Sequence, residues 1–194
     1  METARDTLTR SLAWAPASGT GLEVTTVTID ASGCVAVGHI TGTDPHPFDV
    51  YYRVEVDELW RTRYVCVSET LSSRCVEMRS RGDGRWTSDD GRLLRHLDAA
   101  IDVDISATPF SNTLPVRRLG IGVGESADIV TAYVDVPAMT ATADPQRYTR
   151  LLPDVYRYQS LDSDFTRDVV VDEFGFVLEY PGLFSRVPAT VEPA

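Results

Sequence analysis

The sequence predicts an all-β protein, a sheet, sandwich or barrel of about a dozen strands, on three observations. Alternating or β-branched runs recur along its length, turn residues separate them, and helical spacing is scarce. In order the runs are LEVTTVTI (22–29), CVAVGHI (34–40), DVYYRVEVD (49–57), RTRYVCV (61–67), RCVEMRS (74–80), AAIDVDI (99–105), DIVTAYVDV (128–136), VYRYQS (155–160), RDVVVD (167–172) and FVLEY (176–180). Between them stand DASG (30–33), GTDP (42–45), RGDG (81–84), SDDG (88–91) and DEFG (172–175), whose Asp, Gly and Pro residues suit tight turns. RLLRHLDAA (92–100) is the one candidate helical turn.

A chain of 194 residues is long enough for one well-buried core, and a single domain over 1–194 with short flexible termini is expected. With 43% hydrophobic and 24% charged residues, neither disorder nor a fibrous repeat is supported. The net charge of -11 repels phosphate backbones and anionic lipid surfaces, which argues against nucleic-acid partners and stable membrane insertion. All 18 basic residues are Arg, a bias that codon usage in a GC-rich genome explains more simply than a demand for guanidinium groups. METARDTLTRSLAW lacks the apolar stretch of a secretory signal, so a cytoplasmic location is expected. Cys34, Cys66 and Cys75 are odd in number and sit in strand-like surroundings, as small buried hydrophobes in a reducing compartment do; Cys66 and Cys75 can face each other across a hairpin.

IDVDISATPFSNTLPVRR (101–118) stands apart from this scaffold. Residues two apart in a strand share a face, so Asp102 and Asp104 point together. They can be a catalytic carboxylate pair, the solvent face of an amphipathic strand, or partners of Arg117 and Arg118. Glu55 with Asp57 and Asp162 with Asp164 read more simply as solvent-facing pairs. Downstream, two prolines set an extended path along which Ser106, Thr108, Ser111, Asn112 and Thr113 offer donors and acceptors and Phe110 an apolar face. The segment reads as a ligand rim or as a connecting loop with hydroxyl turns.

Other motifs fail on context. Gly122, Gly124 and Ala127 have dinucleotide-motif spacing, but β-branched residues follow where a helix must start, so a loop between antiparallel strands is expected. His39, His46 and His96 do not cluster with Cys at metal-ligand spacing, and no nucleophile elbow is present, so neither a metal nor a cofactor is expected and no catalytic residue is assigned. Tyr52-Arg53 and Tyr156-Arg157 are each followed at the same spacing by a Thr-Arg strand, which is either an internal duplication aiming both pairs at one groove or the common look of strands. Trp60, Trp86, Tyr133, Tyr156, Tyr158, Tyr180 and Phe184 are aromatics on or beside strands, suited to an amphipathic groove or to the core.

Four motifs then carry a family resemblance: Y-x-V-x-x-D-x-x-W-R-T-R (52–63), IDVDISATPFSNTLPVRRLG (101–120), YR-x6-DFT (156–166) and VDE-x-G-x-V-x-x-YPGLFSR (171–186). With them the chain, over about residues 10–188, resembles a bacterial glycolipid-binding family. The resemblance implies a single long antiparallel sheet wound into a spiral β-roll or half-barrel with little helix, similar to bacterial lipoprotein carriers and mycobacterial lipid-binding lipoproteins. It also implies non-enzymatic binding of a lipid or glycolipid in the groove. The contacts expected there are Arg53, Trp60, Arg61, Trp86, Asp102, Asp104, Ser106, Phe110, Asn112, Arg117, Arg118, Tyr133, Tyr156, Arg157, Tyr180 and Phe184, with Arg117 and Arg118 at the headgroup. Two alternatives stay open, a carbohydrate-active hydrolase using Asp102 and Asp104 and a protein-interaction module.

Overall fold

The computed structural model describes residues 7–189; of the flexible termini expected from the sequence, 1–6 and 190–194 lie outside the described residues. The all-β expectation holds. Fourteen strands form one large, curled, unclosed sheet: β1 (Leu8–Pro16), β2 (Gly21–Asp30), β3 (Gly33–Gly42), β4 (Phe48–Asp57), β5 (Thr62–Glu69), β6 (Cys75–Ser80), β7 (Trp86–Ser88), β8 (Asp102–Ile105), β9 (Ser126–Asp135), β10 (Thr140–Leu152), β11 (Val155–Ser160), β12 (Thr166–Val171), β13 (Val177–Tyr180) and β14 (Phe184–Val187). The spatial order runs β7 to β1 and then β14 to β8, so the first and last strands pair at the centre, Ala13 opposite Val187. Each half is a meander of neighbours in sequence. The neighbouring pairs are antiparallel, save β8 with β9, which is parallel.

Both edges belong to consecutive strands, and residues 89–101 carry the chain from one to the other. That crossing is stapled to the first half of the sheet: Trp86 Nε1 donates to the Ala100 carbonyl at 2.8 Å, Thr62 N–H to the Ile101 carbonyl at 3.2 Å, and Val103 N–H to Thr62 Oγ1 at 3.1 Å. β8 is thereby held against the start of β5 while the sheet stays open. RLLRHLDAA supplies only a 3-10 turn, Arg95–Leu97.

The segment expected to be extended is helical. Helix α1 spans Phe110–Leu119 with Pro115 inside it. Thr108 Oγ1 accepts the free Phe110 N–H at 3.0 Å, Arg117 and Arg118 lie in the last turn where the helix dipole favours cations, and Gly120 ends it in the left-handed conformation, φ 57°. These start and stop signals outweigh the one ladder bond that Pro115 removes. Every residue from Phe110 to Val116 is buried, so α1 lies inside the curl. Phe110 and Leu114 join the larger apolar cluster with Trp14, Tyr52 and Trp86, while Val116 joins a second one around Tyr148, Tyr156, Tyr158 and Val169.

Strands β1, β7, β10 and β14 were not among the runs read from the sequence. β10 is polar and contains Pro145, which is tolerated because β11 joins its ladder only at Gln146 opposite Ser160. The glycine-rich stretch at 120–125 joins α1 to β9 and not two antiparallel strands. Cys75 faces Ser68 and Cys66 faces Glu77, two residues out of register for a cross-strand pair; all three cysteines are free.

Candidate functional site

A cavity of about 520 Å³ opens between α1 and the strands of the second half. Its polar wall starts on β8, where Asp104 pairs across the ladder with Tyr133 of β9, which in turn faces Thr142 of β10. Asp144 follows two residues later and Gln146 two after that, so all three share one face of β10. The buried Gln146 amide joins the acids: Nε2 donates to Asp104 Oδ2 at 2.7 Å and to Asp144 Oδ2 at 2.6 Å. Because both oxygens bind one nitrogen, the two carboxylates are held close together. Burial raises the Asp104 carboxyl to about 6, with the neighbouring Asp144 and Asp102 charges adding to the rise, and burial also raises Asp144.

Aromatic rings form the opposite wall. Tyr158 meets Tyr148, Phe165 and Tyr180 edge to face, with centroids 5.6, 5.8 and 6.5 Å apart, and Phe165, Tyr180, Leu183 and Phe184 complete the lining. Tyr148 donates to Asn112 Oδ1 at 2.9 Å, which fixes the Asn112 amide of α1 at the cavity. Ser106 and Thr108 line it from the β8–α1 turn, and the exposed Asp162 and Ser163 stand at the rim. Among the described residues, no arginine lines it.

Among the residues expected at a ligand site, the structure therefore brings together Asp104, Ser106, Asn112, Tyr133, Tyr180 and Phe184. The others lie elsewhere. Asp102 is wholly buried and takes a bidentate pair from Arg118, Nε to Oδ1 at 2.8 Å and Nη2 to Oδ2 at 2.6 Å. Arg117 lies over the Trp60 ring, 4.5 Å from its centroid, and donates to the Phe174 carbonyl. Neither arginine of the pair lines this cavity: one member holds the helix to β8 and the other lies over an aromatic ring. Arg53 pairs with Glu55, Arg61 with Asp57, and Arg157 with Asp168. Trp86 and Phe110 are core residues, and Tyr156 packs in the second cluster under Arg150. Tyr52 and Tyr156 sit in different clusters with Arg53 and Arg157 outside, so the two Tyr-Arg pairs share no groove.

Sequence reading missed Asp144, Gln146 and Phe165, and it named Tyr158 only as an aromatic suited to a groove or to the core. Period-2 spacing of Asp144, Gln146 and Tyr148 was the available signal, hidden because Pro145 argued against a strand. Asp162, read as solvent-facing, is exposed as expected and also stands at the cavity rim.

Fold and cavity together define a curled-sheet protein with an internal amphipathic cavity. The chain belongs to the family described as "Putative glycolipid-binding", whose model matches residues 11–186. It is similar in structure to a DUF1089 family protein from Pseudomonas aeruginosa, with a TM-score of 0.77 and 33% identity over 85% of this chain and 92% of that one. No curated protein matches it. Among the described residues, no helix is long and apolar enough to cross a membrane.

Proposed function

We propose that this chain binds a glycolipid or a related amphipathic molecule without transforming it, with the sugar seated in the larger cavity. The observation that carries this reading is the pairing of a polar wall, Asp104 and Asp144 with Asn112 and Thr108, against an aromatic wall of Tyr158, Tyr180, Phe165 and Phe184. Sugars present hydroxyl donors around a ring whose C–H faces are apolar, so carboxylates and aromatic faces complement them together. A cavity without arginine suits an uncharged sugar better than a phosphorylated headgroup. The family description agrees with this chemistry.

The test is native mass spectrometry of protein purified from a bacterial host, with extraction of whatever co-purifies, followed by melting curves with alkyl glycosides. A bound ligand raises Tm through mass action. Asp104→Asn combined with Asp144→Asn should abolish the rise while the fold survives. If neither glycolipids nor alkyl glycosides raise Tm, the reading fails.

A hydrolase reading keeps one observation, the Asp104 carboxyl raised to about 6 beside a second acid, as a glycosidic general acid requires. Its pair would be Asp104 and Asp144, because Asp102 is clamped by Arg118. Release of the aglycone from aryl glycosides, lost in Asp104→Asn, would establish it; no turnover would remove it.

A further inference from the structure

Strand β2 runs against its own hydrophobic pattern. Leu22 and Val24 are exposed, at 44% and 39%, while Glu23 and Thr25 are buried at 2% and 0%. A slip of one residue would invert this, yet the register fixes Glu23 between Trp14 of β1 and Ile40 of β3. Burying an acid without a cation is destabilising unless its oxygens are hydrogen-bonded, and here one oxygen is heavily served. Glu23 Oε1 lies 2.7 Å from Thr25 Oγ1, from Tyr52 OH and from Thr108 Oγ1. Tyr52 reaches it across β3 because position 38 is glycine: a Cβ there would lie 2.1 Å from Tyr52 Cε1 and 2.6 Å from Thr25 Oγ1.

Thr25 Oγ1 and Tyr52 OH are themselves 2.8 Å apart, so with Glu23 Oε1 they close a ring of three short contacts, and Thr108 adds a third hydroxyl on the same oxygen. Burial raises this carboxyl to about 7, while the three hydroxyl hydrogen bonds act in the opposite sense.

Oε2 is buried and has no hydrogen-bond partner. Glu23 lines a second cavity of about 130 Å³ whose other walls include Trp14, Leu22, Ile40 and Phe48. This cavity adjoins the larger one, sharing Ser106, Leu183 and Phe184. A short stretch of apolar chain fits there, and the unpartnered acceptor asks for one donor on it.

We propose that the smaller cavity is a second subsite, in which Glu23 accepts through Oε2 a hydrogen bond from a hydroxyl carried on the lipid portion of the ligand. This rests on the reading that the sugar occupies the larger cavity, and it names the lipid class as hydroxylated acyl or alkyl chains.

The experiment compares two probes, a glucose ester of octanoic acid and its β-hydroxyoctanoyl counterpart, by calorimetry at pH 6. The hydroxylated ester should bind wild type about tenfold more tightly. Glu23→Gln should keep that preference, since its carbonyl can replace Oε2 and two of the three hydroxyls can turn to accept from its amide. Glu23→Leu should bind both esters alike. Equal affinities in wild type overturn the proposal and leave the sugar reading standing. If neither ester binds, both fall.

Discussion

Raising the pH should destabilise this protein through Glu23, and the size of the effect follows from its surroundings. Burial lifts the carboxyl from its ordinary 4.5 to about 7 in the folded chain. Between those values the native state holds a proton that the unfolded chain has released, so stability falls as pH rises through the folded value. At about 1.4 kcal/mol for each tenfold change, the loss approaches about 3 kcal/mol from pH 4.5 to pH 8. Asp104, raised to about 6, acts in the same direction, whereas Asp128 and Asp168, held low by hydrogen bonds to Arg147 and Arg157, act only in more acid solution. The assay is urea unfolding of wild type and Glu23→Gln at several pH values from 5 to 8. The two should diverge progressively, with the variant less sensitive to pH. Parallel stability profiles would refute the raised Glu23 carboxyl.

Arg118→Met should cost about 3–5 kcal/mol, because it leaves Asp102 buried without its cation, and adding Asp102→Asn should recover much of the loss; urea midpoints decide. Gly38→Ala should cost about 1–3 kcal/mol by driving Tyr52 off its acceptor, read as a lower Tm and a shift in tyrosine fluorescence. Asp104→Asn alone should leave the unliganded Tm within a few degrees of wild type and reduce the rise that alkyl glycosides produce, a comparison one thermal-shift plate makes.

Ten runs of the sheet were legible because alternation is a local property. The central pairing of β1 with β14 was not, since it joins residues far apart in sequence and leaves no local trace. Helix α1 carried its signals openly, Thr-Pro at its start and Arg-Arg-Leu-Gly at its end, but two prolines and three hydroxylic or amide residues spoke for an extended path. For the site, residue type was a fair guide and direction was not. Asp102 and Asp104 share a short strand yet have different fates, one clamped by Arg118 and the other facing the cavity with Asp144. Glu23 drew no attention because LEVTTVTI reads as an ordinary strand in either register, and only its packing shows which face went inward.

The central seam gives the fold an unusual vulnerability. Where a chain end forms the edge of an open sheet, trimming it removes only that edge. Here β14 bridges two meanders, so losing its four residues, Phe184–Val187, would part β1 from β13 and take Phe184 from the shared wall of both cavities. The two halves would then be joined only through the crossing at 89–101 and whatever the interior still holds. A short deletion near the end of the sequence would thus divide the molecule down its middle.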